Sequence, residues 1–246
     1  MATSPPPPQK ATEPLPSVQL MELYAPGHLF TWGELQSMAS DGILRQVYQQ
    51  GYRLPGAATT PQLRARSVAL EVPSTIRQRV VAGRLTAAWI HGCSPEPDRL
   101  ALLVDAKRRI SSLRSTRGCT LHEVRLGPFD VVSIGGLMVS SPLRTALDIA
   151  LHVDAGRAVP ALRGLLARPQ QDVRLRLLTL AIEATPRLPH KKAALEKLAL
   201  LAAPFVAGGP VDIENAVDPA DSAEHVVEVL GVSHFKSELR DGQAVS

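Results

Sequence analysis

Two histidines and two cysteines raise the question of chemistry. His91-Gly92-Cys93 and Cys119-x-x-His122 together offer four groups that Zn2+ accepts as ligands. The His-x-Cys spacing is poor at presenting two ligands to one ion, so the set is read as structural and no metal is assigned. A thiol–imidazole nucleophile pair on Cys93 or Cys119 would need an oxyanion-binding turn beside it. Neither cysteine sits in a glycine context that supplies one. Ser140-Ser141 ahead of Asp148 is better explained by helix capping and an ion pair than by hydrolysis. No catalytic residue is assigned, the chain is read as not an enzyme, and no cofactor is implied.

The second constellation is suited to nucleic acid. The segment from Thr31 to Ser40 carries Thr31, Gln36, Ser37 and Ser40, polar side chains able to read groove edges. The stretch ILRQVYQQGYRLPG that follows offers Arg45, Gln49, Gln50 and Arg53, suited to phosphate or minor-groove contacts. Arg64 and Arg66 add sequence-independent attraction. A further basic run, Lys107, Arg108, Arg109, Arg114 and Arg117, is a possible second patch against a DNA backbone or an acidic partner.

The 246 residues suffice for one large domain or two small ones. Apolar residues make up 45% and aromatics 4%, so the core must be built from Leu, Val and Ala. The net charge of +4 is unevenly spread. Residues 206–246 carry eight acids against Lys236 and Arg240, about −6, which leaves about +10 on residues 1–205. A basic body points to an anionic partner. Two cysteines fit a reducing compartment better than a disulfide framework. The start, MATSPPPPQK, has no apolar signal region, and no run approaches the roughly 18 apolar residues of a membrane span. A cytoplasmic protein with no membrane partner is expected.

The elements that must position these residues follow from local pattern. Residues 1–16 are proline-rich with little to bury and are expected to be disordered. Val18 to Tyr24 reads as one or two helical turns. Thr31 and Glu34 have the spacing of a capping box, Trp32, Leu35 and Met38 follow at helical intervals, and Gly42 ends the helix. Ile43–Gln49 and Tyr52–Leu54 read as a hairpin turning at Gln50-Gly51. Gln62–Leu70 is helical. A strand near Val80-Val81 and a small-residue helix ending at Trp89-Ile90-His91-Gly92 come next. Leu100–Asp105 is a buried strand. Leu121–Leu126 and Phe129–Ile134 read as strands joined at Gly127-Pro128, and Leu137–Val139 as a third. Ser141 caps the clearest helix, with Arg144 and Asp148 paired on its polar side. Helical segments at Val159–Ala167, Asp172–Ala184 and His190–Ala203 close the body.

A short helix followed by a two-stranded hairpin is the second half of a winged helix. The fold class is therefore α+β: a truncated N-terminal winged helix-turn-helix, a mixed α/β domain and a helical C-terminal region. The divisions expected are 1–16 disordered, 17–58 winged-helix-like, 59–152 α/β, 153–205 helical and 206–246 an acidic, flexible tail.

The runs FTWGELQ, DGILRQVYQQGYRLPG, TTPQLRARSVAL and VVAGRLTAAWIHG, followed by LHEVRL and DVVSIGGLMVSSPLRTALDIALHV, resemble in order the AbiEi family, the antitoxins of type IV (AbiE-type) toxin–antitoxin systems, in an actinobacterial style. The resemblance covers roughly residues 28–165. It implies a winged helix that binds and represses the promoter of its own operon. It further implies a C-terminal part that neutralises a cognate nucleotidyltransferase-like toxin, directly or indirectly. A single helix and wing bind weakly alone, so a homodimer on DNA is expected. The alternative reading is a protein-interaction module that has lost DNA binding, and a third is a metal-dependent enzyme using His91, Cys93, Cys119 and His122.

Overall fold

The computed structural model describes residues 23–27, 29–108, 118–185 and 188–202. Within these the fold is α+β: a helix and hairpin, a mixed five-stranded sheet with helices packed on it, and a helical C-terminal region. The proline-rich start, most of the basic run and the acidic tail lie outside the described residues. Among the described residues no helix is long and apolar enough to cross a membrane.

Helix α1 (Trp32–Ser40) begins as its sequence requires. The Glu34 backbone N–H donates to Thr31 Oγ1, and the Glu34 carboxylate takes both the backbone N–H and the hydroxyl of Thr31 at 2.7 and 2.9 Å. Strands β1 (Arg45–Tyr48) and β2 (Gly51–Arg53) pair antiparallel. The turn falls on Gln49 and Gln50, one residue earlier than the sequence suggested, with Gln49 in the left-handed region at φ +43°. Gly51 belongs to β2 and is buried, and a Cβ there would lie 2.7 Å from Ser67 Oγ.

Tyr24 departs from the expected helical turn, whose other residues to position 22 lie outside the described chain. It is extended and exchanges both backbone hydrogen bonds with Tyr52, at 2.7 and 2.8 Å. Tyr52 lacks a partner on the side away from β1, and Tyr24 supplies it.

The hairpin serves two cores. Tyr52 and Leu44 join Leu35 of α1, with Tyr24, Phe30, Met38 and Leu54 around them. Val47 and Tyr48 point the other way, into a core with Leu63 and Val68 of α2 (Pro61–Glu71) and Trp89 of α4 (Arg84–Ile90). The rings of Tyr48 and Trp89 lie 5.3 Å apart. A single turn, α3 (Ser74–Arg77), leads from α2 into the sheet.

The sheet runs β5-β4-β3-β7-β6, with β3 (Val81–Ala82), β4 (Leu100–Asp105), β5 (Cys119–Val124), β6 (Val131–Ile134) and β7 (Leu137–Ser140). The expected pairing across Gly127-Pro128 is not made: β5 and β6 stand at opposite edges. LALLVD explains part of this. Leu100–Val104 are buried, and a fully buried strand needs neighbours on both sides, so β5 pairs parallel to β4 and β3 antiparallel to it. The partner of β6 is β7, through a turn at Gly135 and Gly136 with φ +56° and +81°. A Cβ on Gly135 would meet the Gln62 carbonyl at 2.6 Å, so the tip of this hairpin rests on α2.

Helix α5 (Pro142–His152) also departs from expectation. Ser141 caps it as the sequence indicates, but it has no polar side: every residue from Arg144 to Leu151 is buried. It lies between α4 and helices α6 (Ala155–Leu166), α7 (Leu175–Ala184) and α8 (Lys191–Ala202), which share its core. Arg144 and Asp148 therefore form a buried pair, not a surface one. Arg144 Nε faces both Asp148 oxygens at 3.1 Å, and Nη1 donates to Asp130 Oδ2 at 2.6 Å and to the Arg125 carbonyl at 2.9 Å. Burial pushes the Asp130 carboxyl up against the opposing pull of Arg144. At the far end of α5, Lys197 of α8 donates to the carbonyls of Ala150 and Val153 at 2.7 and 2.6 Å, closing the helix with a cation.

Removing one member of a buried charge pair leaves the other uncompensated. Arg144→Met is expected to cost about 3–5 kcal/mol in urea unfolding. Lys197→Met, which leaves two carbonyls unpaired, should cost about 1–3 kcal/mol. Acid lability follows from His91, whose Nε2–H donates to the Ser140 carbonyl at 2.9 Å. Burial holds its pKa below the ordinary 6.5, against a smaller opposing effect of that hydrogen bond. The unfolded chain takes up a proton that the native state refuses, so stability is unaffected above the ordinary value and falls as pH drops through it. Thermal unfolding followed across that range should show this slope, and His91→Gln should flatten it.

Candidate nucleic-acid interface

The proposed groove-reading residues lie on or beside α1. Gln36 and Ser37 are exposed and point away from Leu35, the helix's buried anchor. Thr31 and Ser40 are exposed but engaged: Thr31 in the capping box, and Ser40 as a donor to the Gln36 carbonyl at 3.0 Å. The charge of the helix is negative. Glu34 sits in its first turn, Asp41 follows its last, and its last turn carries no basic residue. The Thr31 backbone and hydroxyl hold the Glu34 carboxyl below its usual range, so it stays ionised where a phosphate would approach.

Positive charge comes from the hairpin. Arg45 is exposed, directly opposite Arg53 across the β1–β2 pair. Like charges in that position repel. The structure relieves the repulsion by turning Arg53 aside: its Nη1 donates to the carbonyls of Leu54, Pro55 and Ala57 at 2.8, 2.9 and 2.7 Å. Arg53 therefore ties down the chain after the hairpin, and Arg45 is left as the outward cation. Gln49 and Gln50 are exposed at the turn. Gln46, not singled out from sequence, is exposed as well and donates from Nε2 to the Gln49 carbonyl. The Gln50 backbone N–H donates to Glu71 of α2 at 3.3 Å, which fixes the tip to the body.

The two α2 arginines part company. Arg66 is exposed, its stem running beside Gly135 of the β6–β7 turn. Arg64 is half-buried, with its guanidinium 5.8 Å from the centre of the Trp89 ring. Burial, and then the neighbouring Arg168 charge, lower its pKa. Arg168 itself donates to the carbonyls of His91 and Gly92, closing α4. Arg64 thus packs against Trp89 and is only partly exposed. In the second basic patch, Lys107 is exposed and its backbone N–H bonds to Asp105. Arg108 ends a 3-10 turn at Ala106–Arg108, and Arg109, Arg114 and Arg117 lie outside the described residues.

The four thiol and imidazole groups considered for zinc are held apart by the packing. Cys93 belongs to the α5–α8 core and Cys119 to the sheet core. Among the described residues no group of three or more His, Cys, Asp and Glu side chains is placed to hold a metal ion.

The surface that remains is Gln36, Ser37, Arg45, Gln46, Gln49, Gln50 and Arg66. It can accept a phosphate backbone at the hairpin and offer amide groups to a groove. The division of labour between the two facing arginines is testable by chemical denaturation. Arg53→Ala, which frees the Pro55 and Ala57 carbonyls while Leu54 keeps the Ala57 N–H, should cost about 1–2 kcal/mol. Arg45→Ala should stay within about 0.5 kcal/mol of the parent.

No family model and no curated protein matches the chain. Among solved structures, the crystal structure of the RV2827C protein from Mycobacterium tuberculosis is similar to it, with 19% sequence identity and a TM-score of 0.36. The match covers 69% of this chain and 63% of that one, so the chain spans less than two thirds of its length.

Proposed function

We propose that the chain is a DNA-binding antitoxin and autorepressor of a toxin–antitoxin operon. The observation that carries the DNA-binding half is the hairpin's outer edge: exposed Arg45, Gln46, Gln49 and Gln50, held by two cores and adjoining the polar face of α1. The hairpin acts as the wing and lies on phosphates through Arg45, with Arg66 as a second cation. α1 presents Gln36 and Ser37 to a groove, and the Glu34 carboxylate of its first turn disfavours phosphate contact there. The antitoxin half rests on the sequence resemblance: the sheet and helical body neutralise a nucleotidyltransferase-like toxin, directly or indirectly. Few cations face the DNA, so two copies on paired sites supply the affinity.

A second reading is a protein-interaction module that has lost DNA binding. It is favoured by three large apolar side chains left open around α1: Leu29 at 66%, Trp32 at 53% and Ile43 at 55% exposure.

Fluorescence anisotropy with the duplex upstream of the gene, at two salt concentrations, separates the two. The antitoxin–repressor reading predicts preference over a scrambled duplex, and a salt slope that falls by about 1 per protomer in Arg45→Ala. Equal binding to both duplexes, unchanged in Arg45→Ala, removes the DNA-binding half. Co-expression with the neighbouring gene tests the antitoxin half: rescue of growth is expected.

A further inference from the structure

The hairpin is not where the structure holds its most unusual cation. Arg84, the first residue of α4, has a left-handed backbone at φ +50°, a conformation costly for a side chain of its size. Its Nη1 lies 3.2 Å from His122 Nε2 on β5. Arginine keeps its protons, so His122 must be neutral and accept there, leaving Nδ1–H as a donor. Arg84 Nε is buried and has no partner.

No carboxylate among the described residues hydrogen-bonds to Arg84. The nearest acid that it feels is Asp148, whose two oxygens already face Arg144. Burial lowers the Arg84 pKa, the mark of a cation short of compensation. The same region holds His152, at the end of α5, whose partly covered ring and the Arg84 charge together keep its pKa down. The His152 ring stands 6.1 Å from that of His190, nearly edge-on. His190 is itself left-handed, at φ +59°. Of the four non-glycine residues with positive φ among the described residues, two supply side chains to this one cluster. Arg84 and His122 form its half-buried floor, and His152 and His190 face solvent.

We propose that Arg84, His122 and His152 bind a terminal phosphate monoester. The guanidinium supplies a fixed charge and a fork of N–H donors. His122 supplies its Nδ1–H, and His152 supplies an N–H and can take up a proton when a second negative charge arrives. A dianion on one small group meets the guanidinium charge that no described carboxylate hydrogen-bonds. The singly charged diesters of a nucleic-acid backbone provide neither the charge nor an end that enters a half-buried floor. The site is separate from the hairpin surface and does not rest on it.

The test is binding of inorganic phosphate to the full chain, followed by thermal unfolding at ionic strength matched with chloride and by imidazole nitrogen NMR. Wild type should show saturable stabilisation, with the His122 and His152 signals moving and the buried His91 signal still. Arg84→Gly removes both the strained backbone and the lone charge. It should unfold at a higher temperature than wild type without phosphate, and respond to phosphate at least roughly tenfold more weakly. His122→Gln, which keeps an acceptor for Arg84, should weaken phosphate binding while remaining folded. AMP against adenosine, and a 5′-phosphorylated oligonucleotide against its 5′-hydroxyl form, identify which carrier presents the group. A wild-type phosphate response retained in Arg84→Gly, unmoved His122 and His152 signals, or equal binding of phosphorylated and unphosphorylated forms would each overturn the proposal.

Discussion

The guanidinium of Arg144 holds two buried carboxylates and a carbonyl from three parts of the chain: Asp148 one turn along its own helix, Asp130 just before β6, and Arg125 just after β5. β5 and β6 are the outer strands of the sheet, so the chain between them must cross from one edge to the other. Arg144 anchors that crossing to α5. The Gly127 N–H donates to Asp130 Oδ2 and the Ser141 N–H to the Asp130 carbonyl, so the same acid joins the crossing to the cap of α5. Once α5 is fixed, His91 ties the end of α4 to the end of β7 through the Ser140 carbonyl, and Lys197 ties α8 to the end of α5. Charged and polar groups buried in this way cost desolvation. Here they lock elements whose apolar faces alone would tolerate several arrangements.

The hairpin inherits its rigidity from that body. Val47 and Tyr48 reach the sheet core through α2 and Trp89, Glu71 holds the turn, and Tyr24 pairs the outer strand. Its polar edge is presented by a frame rather than by a mobile loop, which is the arrangement a docking surface needs. The acidic character of α1, the carbonyl contacts of Arg53 and the packing of Arg64 against Trp89 shrink the cationic surface. What is left is small, and the account depends on repetition of it, not on its strength.

Local chemistry was readable where one residue type has one local use. The Thr31–Glu34 capping box, the Ser141-Pro142 helix start and the buried run LALLVD all form as their residues dictate. The winged-helix interpretation of the helix and hairpin remains part of the proposal. Pairing across the chain was not readable: Phe129–Ile134 and Leu121–Leu126 are both good strand sequences, and nothing local says which neighbour each takes. Side-chain surroundings were not readable for a related reason. Arg45, Arg53 and Arg64 are alike in sequence, but only the packed chain shows that Arg53 meets three carbonyls and Arg64 meets an indole ring. The Arg144–Asp148 spacing is the same for a surface pair and a buried one, and the apolar residues on every side of it were the available signal. Arg84 could not have been found at all without its backbone angle.

The central claim is that the α1–hairpin face meets DNA. Hydrogen exchange, measured with and without the upstream duplex, tests it without substitution. The account predicts slowed exchange across residues 31–53, with the helices of residues 155–202 unchanged. Slowed exchange confined to the sheet and C-terminal helices, or none anywhere under saturating duplex, would contradict it.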